Sequence, residues 1–164
     1  MNKPTILNLG CDSFKLPGFI NIDINPEVKP DLCINLMEID KHYKPQSVDF
    51  IFAGHIFEHF KYEDSQNLMI KCRLILKAFR TLLIVVPDYS KCFDLPIEKS
   101  EKVIMANGDH QMIYNLSRLE HMLRESGFRC FSEVPLERVP YLVVPDINNP
   151  KPEPFQTAVL ALKI

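Results

Sequence analysis

The stretch Ile6-Leu7-Asn8-Leu9-Gly10-Cys11-Asp12, followed shortly by Ile20-Asn21-Ile22-Asp23, decides how the rest of the chain reads. An apolar run ends in a glycine turn, and a second apolar run ends in an aspartate. Placed in an open α/β sheet, the two runs are neighbouring strands with a backbone turn and a carboxylate at their carboxyl ends. Nucleoside-bearing ligands bind at that edge, so the expected ligand carries a ribose.

Working outward, residues 5–9 and 19–24 read as the first two strands and residues 32–36 as a weaker third. Val48-Asp49-Phe50-Ile51-Phe52-Ala53 is a fourth, rich in aromatic and β-branched side chains. A helix is expected over residues 63–79, with Leu68, Cys72, Leu76 and Phe79 recurring at helical spacing. Residues 81–86 form the next strand, closed by Pro87. Ser117 and Glu120 resemble a capping box for a short helix that carries Leu119, Met122 and Leu123 and stops at Gly127. Residues 128–134 and 157–164 read as a closing pair of strands. Between them, Pro135, Pro140, Pro145, Pro150, Pro152 and Pro154 predict an extended, irregular excursion, suited to a substrate lid or a dimer contact. The alternation of periods predicts an α/β fold in one domain over residues 1–164, mostly parallel with an antiparallel C-terminal strand. One spacing is tight. Residues 11–18 are few for a crossover containing a helix, so either that helix is reduced to a turn or the strand ends lie elsewhere.

The bulk properties narrow the function classes. With 46% hydrophobic and 24% charged residues among 164, the chain has a globular composition and enough length for a real core. A net charge of -2 gives no general attraction for nucleic acid, and no apolar run is long enough for a membrane helix. The amino terminus runs almost directly into a strand, so no signal peptide is expected. Five cysteines without a C-x-x-C pair read as reduced thiols, which predicts a cytoplasmic protein.

The ordered set Leu-Asn-Leu-Gly-Cys, Asn-Ile-Asp, Val-Asp-Phe-Ile-Phe-Ala-Gly-His-Ile-Phe-Glu-His, Leu-Ile-Leu-Lys and Leu-Ile-Val-Val-Pro-Asp resembles the class I S-adenosylmethionine-dependent methyltransferases, over about residues 6–128. The resemblance implies a Rossmann-like methyltransferase fold, S-adenosylmethionine as cofactor, and transfer of its methyl to an acceptor. A small molecule or glycan intermediate is the expected acceptor. By resemblance, Gly10 lets the methionine moiety pass close over the backbone, Asp23 accepts from both ribose hydroxyls, and Asn35 meets the adenine amino group. Ala53, Gly54 and His55 line the methionine side, and Leu9, Cys11, Ile24 and Leu36 complete the implied binding set. Pro87 and Asp88 face the acceptor. Two positions depart from the family pattern: Asp12 replaces a second glycine, and Lys77-Ala78-Phe79-Arg80 replaces Lys-Pro-Gly-Gly.

A dinucleotide is the rival ligand, but Asp12 would set a carboxylate against its diphosphate. His55, Glu58 and His59 have the i, i+3, i+4 spacing that gathers metal ligands on a helix. With no further ligand cluster in the sequence, no metal is expected, and His55 is assigned to the cofactor pocket. Asp109-His110 precedes the second predicted helix. A histidine near its ordinary pKa can take a hydroxyl proton at neutral pH, so His110 and Asp88 are the candidate catalytic residues. The alternative function is a degenerate, non-catalytic binding module of the same fold; a homodimer is compatible with either.

Overall fold

The computed structural model describes residues 3–93, 95–136 and 155–164. Seven strands form one sheet in the order β3-β2-β1-β4-β5-β7-β6. They are β1 (Ile6–Leu9), β2 (Ile20–Asp23), β3 (Leu32–Cys33), β4 (Val48–Gly54), β5 (Leu76–Pro87), β6 (Cys130–Glu133) and β7 (Gln156–Leu162). β3, β2, β1, β4 and β5 pair in parallel, while β7 runs antiparallel to both β5 and β6. The expected α/β architecture, mostly parallel with a reversed terminal strand, is present.

Alternation along the strands divides the core between the two faces of the sheet. Leu7, Leu9, Ile22, Ile51, Ala53, Leu82 and Ile84 point to one face. There they pack under Ile39 of α1 (Ile39–His42), Leu68, Met69, Cys72 and Ile75 of α2 (Tyr62–Ile75), and Leu119, Met122 and Leu123 of α4 (Leu116–Glu125). A further helix among the described residues, α3 (Ile97–Met105), buries no residue. Phe52, Leu83, Val85 and Ala158 point to the other face, where Leu16, Phe14 and Phe19 cover them. These three come from the β1–β2 connection, which contains no helix. The short spacing is therefore a crossover reduced to turns.

Polar side chains hold that connection in place of a helix. Asn8 and Asn21, both buried, join through Asn8 Nδ2 to Asn21 Oδ1 at 2.9 Å, and Asn8 Nδ2 also donates to Phe14 O at 3.1 Å. Leu16 N donates to Asn21 Oδ1 at 2.8 Å. The Asn21 main-chain and side-chain N–H groups both donate to Asp31 Oδ2 at 2.8 Å.

Several expected boundaries move. The helix expected over residues 63–79 ends at Ile75, and Leu76 is already extended. Leu76 and Phe79 therefore belong to β5, not to the helix face. Residues 77–80 bulge away from β4, where the register jumps between Val48 and Phe50, and Phe79 is 71% exposed with φ 58°. The third strand is shorter than expected, because Asn35 caps a 3-10 turn that carries Leu36 away from the sheet. α4 is capped by Asn115, whose side chain accepts from Arg118 N at 2.9 Å, and not by Ser117. α3 was absent from the sequence reading. The proline-rich excursion, apart from residues 135 and 136 at its start, lies outside the described residues.

Candidate functional site

The carboxyl ends of β1, β2 and β4 meet at one edge of the sheet, and two cavities open there. One, of about 450 Å³, is lined by Asn8, the residues 10–14, Asp23, Phe52 and the residues 54–56, with His59. The other, of about 390 Å³, is lined by Gly10, Asp23, Ile24, Asn35, Leu36, Met37, Ile56, His59, Phe60 and Asp64. Gly10, Asp23, Ile56 and His59 are common to both walls.

The backbone explains why these residues converge. Gly10 has φ 61°, and a Cβ there would lie 2.5 Å from Ile56 Cδ1, so any side chain would displace the shared wall. Asp12 follows with φ 43°, a left-handed conformation that aspartate tolerates better than most residues. Its N–H donates to Asp23 Oδ2 at 2.8 Å, and Asn25 N donates to Asp23 Oδ1 at 2.9 Å. Each carboxylate oxygen keeps a second acceptor site, so Asp23 is oriented without being used up. Cys11 sits beside it. Burial, and then the Asp23 charge, push that thiol up to about 11, so it is protonated at neutral pH.

After β4 the chain turns through His55, whose φ is 54° and whose N–H donates to Val85 O at 2.9 Å. Its ring bridges two buried groups. Nδ1 donates to Glu58 Oε1 at 2.9 Å, and Nε2 accepts from Gln156 Nε2 at 2.9 Å. A neutral ring protonated on Nδ1 satisfies both partners. Glu58 lies in a 3-10 turn over Phe57–His59, not in α2, and Ser65 Oγ ties that turn to the helix by donating to Phe57 O at 3.1 Å.

Of the sequence-selected residues, Gly10, Cys11, Asp23, Ile24, Asn35, Leu36, Gly54 and His55 line the cavities. Leu9 and Ala53 do not; both are fully buried with side chains in the helix-covered core. Their strand neighbours Asn8 and Phe52 point the other way and form wall instead, a difference that period-two alternation already encodes. Asn35 Oδ1, expected to meet an adenine amino group, accepts from Met37 N at 2.9 Å as a cap.

Asp88 lines neither cavity. It is 1% exposed, and its Oδ1 accepts from Ser90 N at 3.0 Å and from Ser90 Oγ at 2.5 Å, capping a turn. His110 lines a separate hollow of about 10 Å³ with Glu58 and Tyr114, room for about one water. The sequence reading missed Ile56, Met37, Phe60 and Asp64 as wall residues; nothing in their spacing marks them.

No protein-family model and no curated protein matches the sequence. Solved structures do. A SAM-dependent methyltransferase from Archaeoglobus fulgidus aligns over 98% of this chain and 86% of its own, at TM-score 0.72 and 18% identity. The corresponding values for an S-adenosylmethionine-dependent methyltransferase from Mesorhizobium loti are 98%, 91%, 0.64 and 14%. Phosphoethanolamine N-methyltransferase 2 of Haemonchus contortus, in complex with phosphomonomethylethanolamine and S-adenosylhomocysteine, aligns over 99% of this chain and 49% of its own, at TM-score 0.65 and 14% identity. Each likeness takes in nearly the whole sheet and its covering helices, and the chain has the Rossmann-like fold of the class I S-adenosylmethionine-dependent methyltransferases.

Proposed function

We propose that this protein transfers a methyl group from S-adenosylmethionine to a small-molecule or glycan-intermediate acceptor. The observation that carries the reading is the place of Asp23, a carboxylate at the junction of two cavities, which shares both walls with a glycine where a side chain would displace Ile56. A ribose seated between adenine and an amino-acid tail needs that arrangement. The residues fit the rest of the cofactor. Ile24, Leu36, Met37 and Phe60 make an apolar slot for adenine, and the free acceptor sites of Asp23 take the ribose hydroxyls. Asp12 and Asp23 line the larger cavity, and among the described residues neither wall contains lysine or arginine. That balance tolerates a sulfonium cation and repels a diphosphate.

When bound, the cofactor supplies an electrophilic methyl on sulfur. The chain's own contribution is alignment and exclusion of water: Phe14 and Phe52 form apolar wall on the side away from the adenine slot, and Ile56 stands between the two cavities. The hollow beside His110 is too small for an acceptor, and Asp88 is buried and lines neither cavity, so neither is assigned the removal of a proton.

Calorimetric titration with S-adenosylmethionine and S-adenosylhomocysteine tests the reading. Micromolar binding of either is expected, followed by acceptor-dependent release of S-adenosylhomocysteine. A folded protein that binds neither would overturn it and leave a non-catalytic module of the same fold.

A further inference from the structure

Glu58, His59 and His110 converge beside the cavities that His59 lines, and their donor atoms lie within 4.8 Å of one another. Main-chain bonds bring the distant histidine in: Gln111 N and Met112 N donate to Glu58 O at 2.8 and 3.1 Å. Two further observations point to a ligand at this spot. Glu58 is 1% exposed, yet its Oε2 is buried with no hydrogen-bond partner among the described residues, while Oε1 is held by His55. A bare carboxylate oxygen in that position is costly unless a cation or a donor meets it. The two imidazoles are also held alike. His59 Nδ1 lies 3.3 Å from Asp109 O, and His110 Nδ1 lies 3.0 Å from Ile104 O. A carbonyl can only accept, so each Nδ1 carries the proton and each Nε2 is left with its lone pair free. Main-chain carbonyls orient metal-binding histidines in this way.

We propose that Glu58, His59 and His110 form a binding site for a first-row divalent cation of the Zn²⁺ type. Two imidazoles and one carboxylate suit such an ion better than Mg²⁺ or Ca²⁺, which favour all-oxygen shells. The rings stand 5.0 Å apart between centroids with planes at 81°. Tetrahedral donors on one ion at about 2.1 Å lie about 3.4 Å apart, so the set closes around an ion when its donor atoms draw together by up to about 1.4 Å, a movement shared between two side chains. Three protein ligands leave at least one coordination position open, as in catalytic zinc sites. His59 sets that position at the rim of the larger cavity, where it suits an oxygen of a hydroxyl-bearing acceptor. This last consequence rests on the methyl-transfer reading; the cation site does not. The sequence showed His55, Glu58 and His59 at metal-ligand spacing without a further ligand cluster, and the fold brings His110 to Glu58 and His59.

The test uses the full chain, stripped with a chelator and titrated calorimetrically with Zn²⁺, with Co²⁺ as a spectroscopic probe. One Zn²⁺ per chain is expected, together with Co²⁺ visible bands of nitrogen and oxygen ligation. His59→Ala and His110→Ala should each weaken Zn²⁺ binding by roughly a hundredfold or more. His42→Ala, at an exposed position at the end of α1 and outside the cluster, should leave it unchanged. Failure of the wild type to bind Zn²⁺ or Co²⁺, or wild-type affinity in both His59→Ala and His110→Ala, would overturn the site. S-adenosylhomocysteine binding is measured on the same preparations. Cation binding without nucleoside binding counts against the methyltransferase reading alone, and the reverse counts against the cation site alone.

Discussion

Asp23 and Phe79 show how one position can hold a side chain in order while another holds backbone strain. The Asp23 carboxylate accepts two main-chain N–H groups and still has acceptor sites for two hydroxyls. Asp23→Ala should weaken S-adenosylhomocysteine binding by about 1.5–3 kcal/mol, tenfold to roughly a hundredfold, with the circular dichroism spectrum retained. Unchanged affinity in the folded variant would remove Asp23 from the ribose. Phe79 is the opposite case. It adopts φ 58° where the resembling family has glycine, and its ring is largely exposed, so little packing offsets the backbone strain. A left-handed conformation costs an L-residue about 1–2 kcal/mol, part of which glycine gives back in unfolded-state entropy. Phe79→Gly should therefore stabilise the protein by about 0.5–1 kcal/mol in denaturant unfolding.

Elements end where local chemistry competes with periodicity. α2 passes directly into β5 without a loop, so the apolar spacing that runs on through Leu76 and Phe79 reads as helix although the chain has already extended. At α4, Ser117 and Glu120 have the spacing of a capping box, but Asn115 is in extended conformation and bonds Arg118 N. Asn115→Ala should cost about 1 kcal/mol in chemical denaturation, whereas Ser117→Ala, at an exposed helical position, should cost only a few tenths. Equal effects would restore Ser117 as the cap. The β1–β2 connection shows the same competition resolved by side chains, because the buried Asn8–Asn21 pair satisfies the main-chain groups that a crossover helix would have satisfied itself.

Across the whole molecule, acidic groups join segments distant in sequence, and this sets the response to acid. Asp31 is held below the ordinary carboxylate range by the main-chain and side-chain N–H groups of Asn21. Asp49 is lowered first by the Lys77 ammonium, at 2.8 Å, and then by Thr5 N, at 3.0 Å, so it ties the start of β1 to β4 and β5. Glu133 is lowered by Lys91. With folded pKa values depressed, the unfolded chain binds more protons, so stability rises with pH through this window. The contribution is present above the unfolded carboxylate pKa of about 4 and is lost as pH falls through the lower folded values. The thermal midpoint should fall steeply below about pH 4, and Asp31→Asn should show a shallower fall from a lower starting point. An acid limb as steep in Asp31→Asn as in the wild type would take Asp31 out of the account.

Sequence by itself determined the strands, their alternation and the sheet edge where the two cavities open, because these rest on local periodicity and turn chemistry. The glycine turn after β1, Asp23 at the end of β2 and the aromatic run of β4 can be read without knowing what they pack against. Only the tertiary structure decided the rest. Leu9 and Ala53 are core while Asn8 and Phe52 are wall, because the helices cover one face of the sheet and the turn-rich connection covers the other. Asp88 is buried away from both cavities with one carboxylate oxygen in a cap, a placement set by the neighbouring backbone. His110 meets Glu58 and His59 through bonds to a main-chain carbonyl far away in the chain. Such meetings depend on which segments the fold brings together, and no local pattern records them.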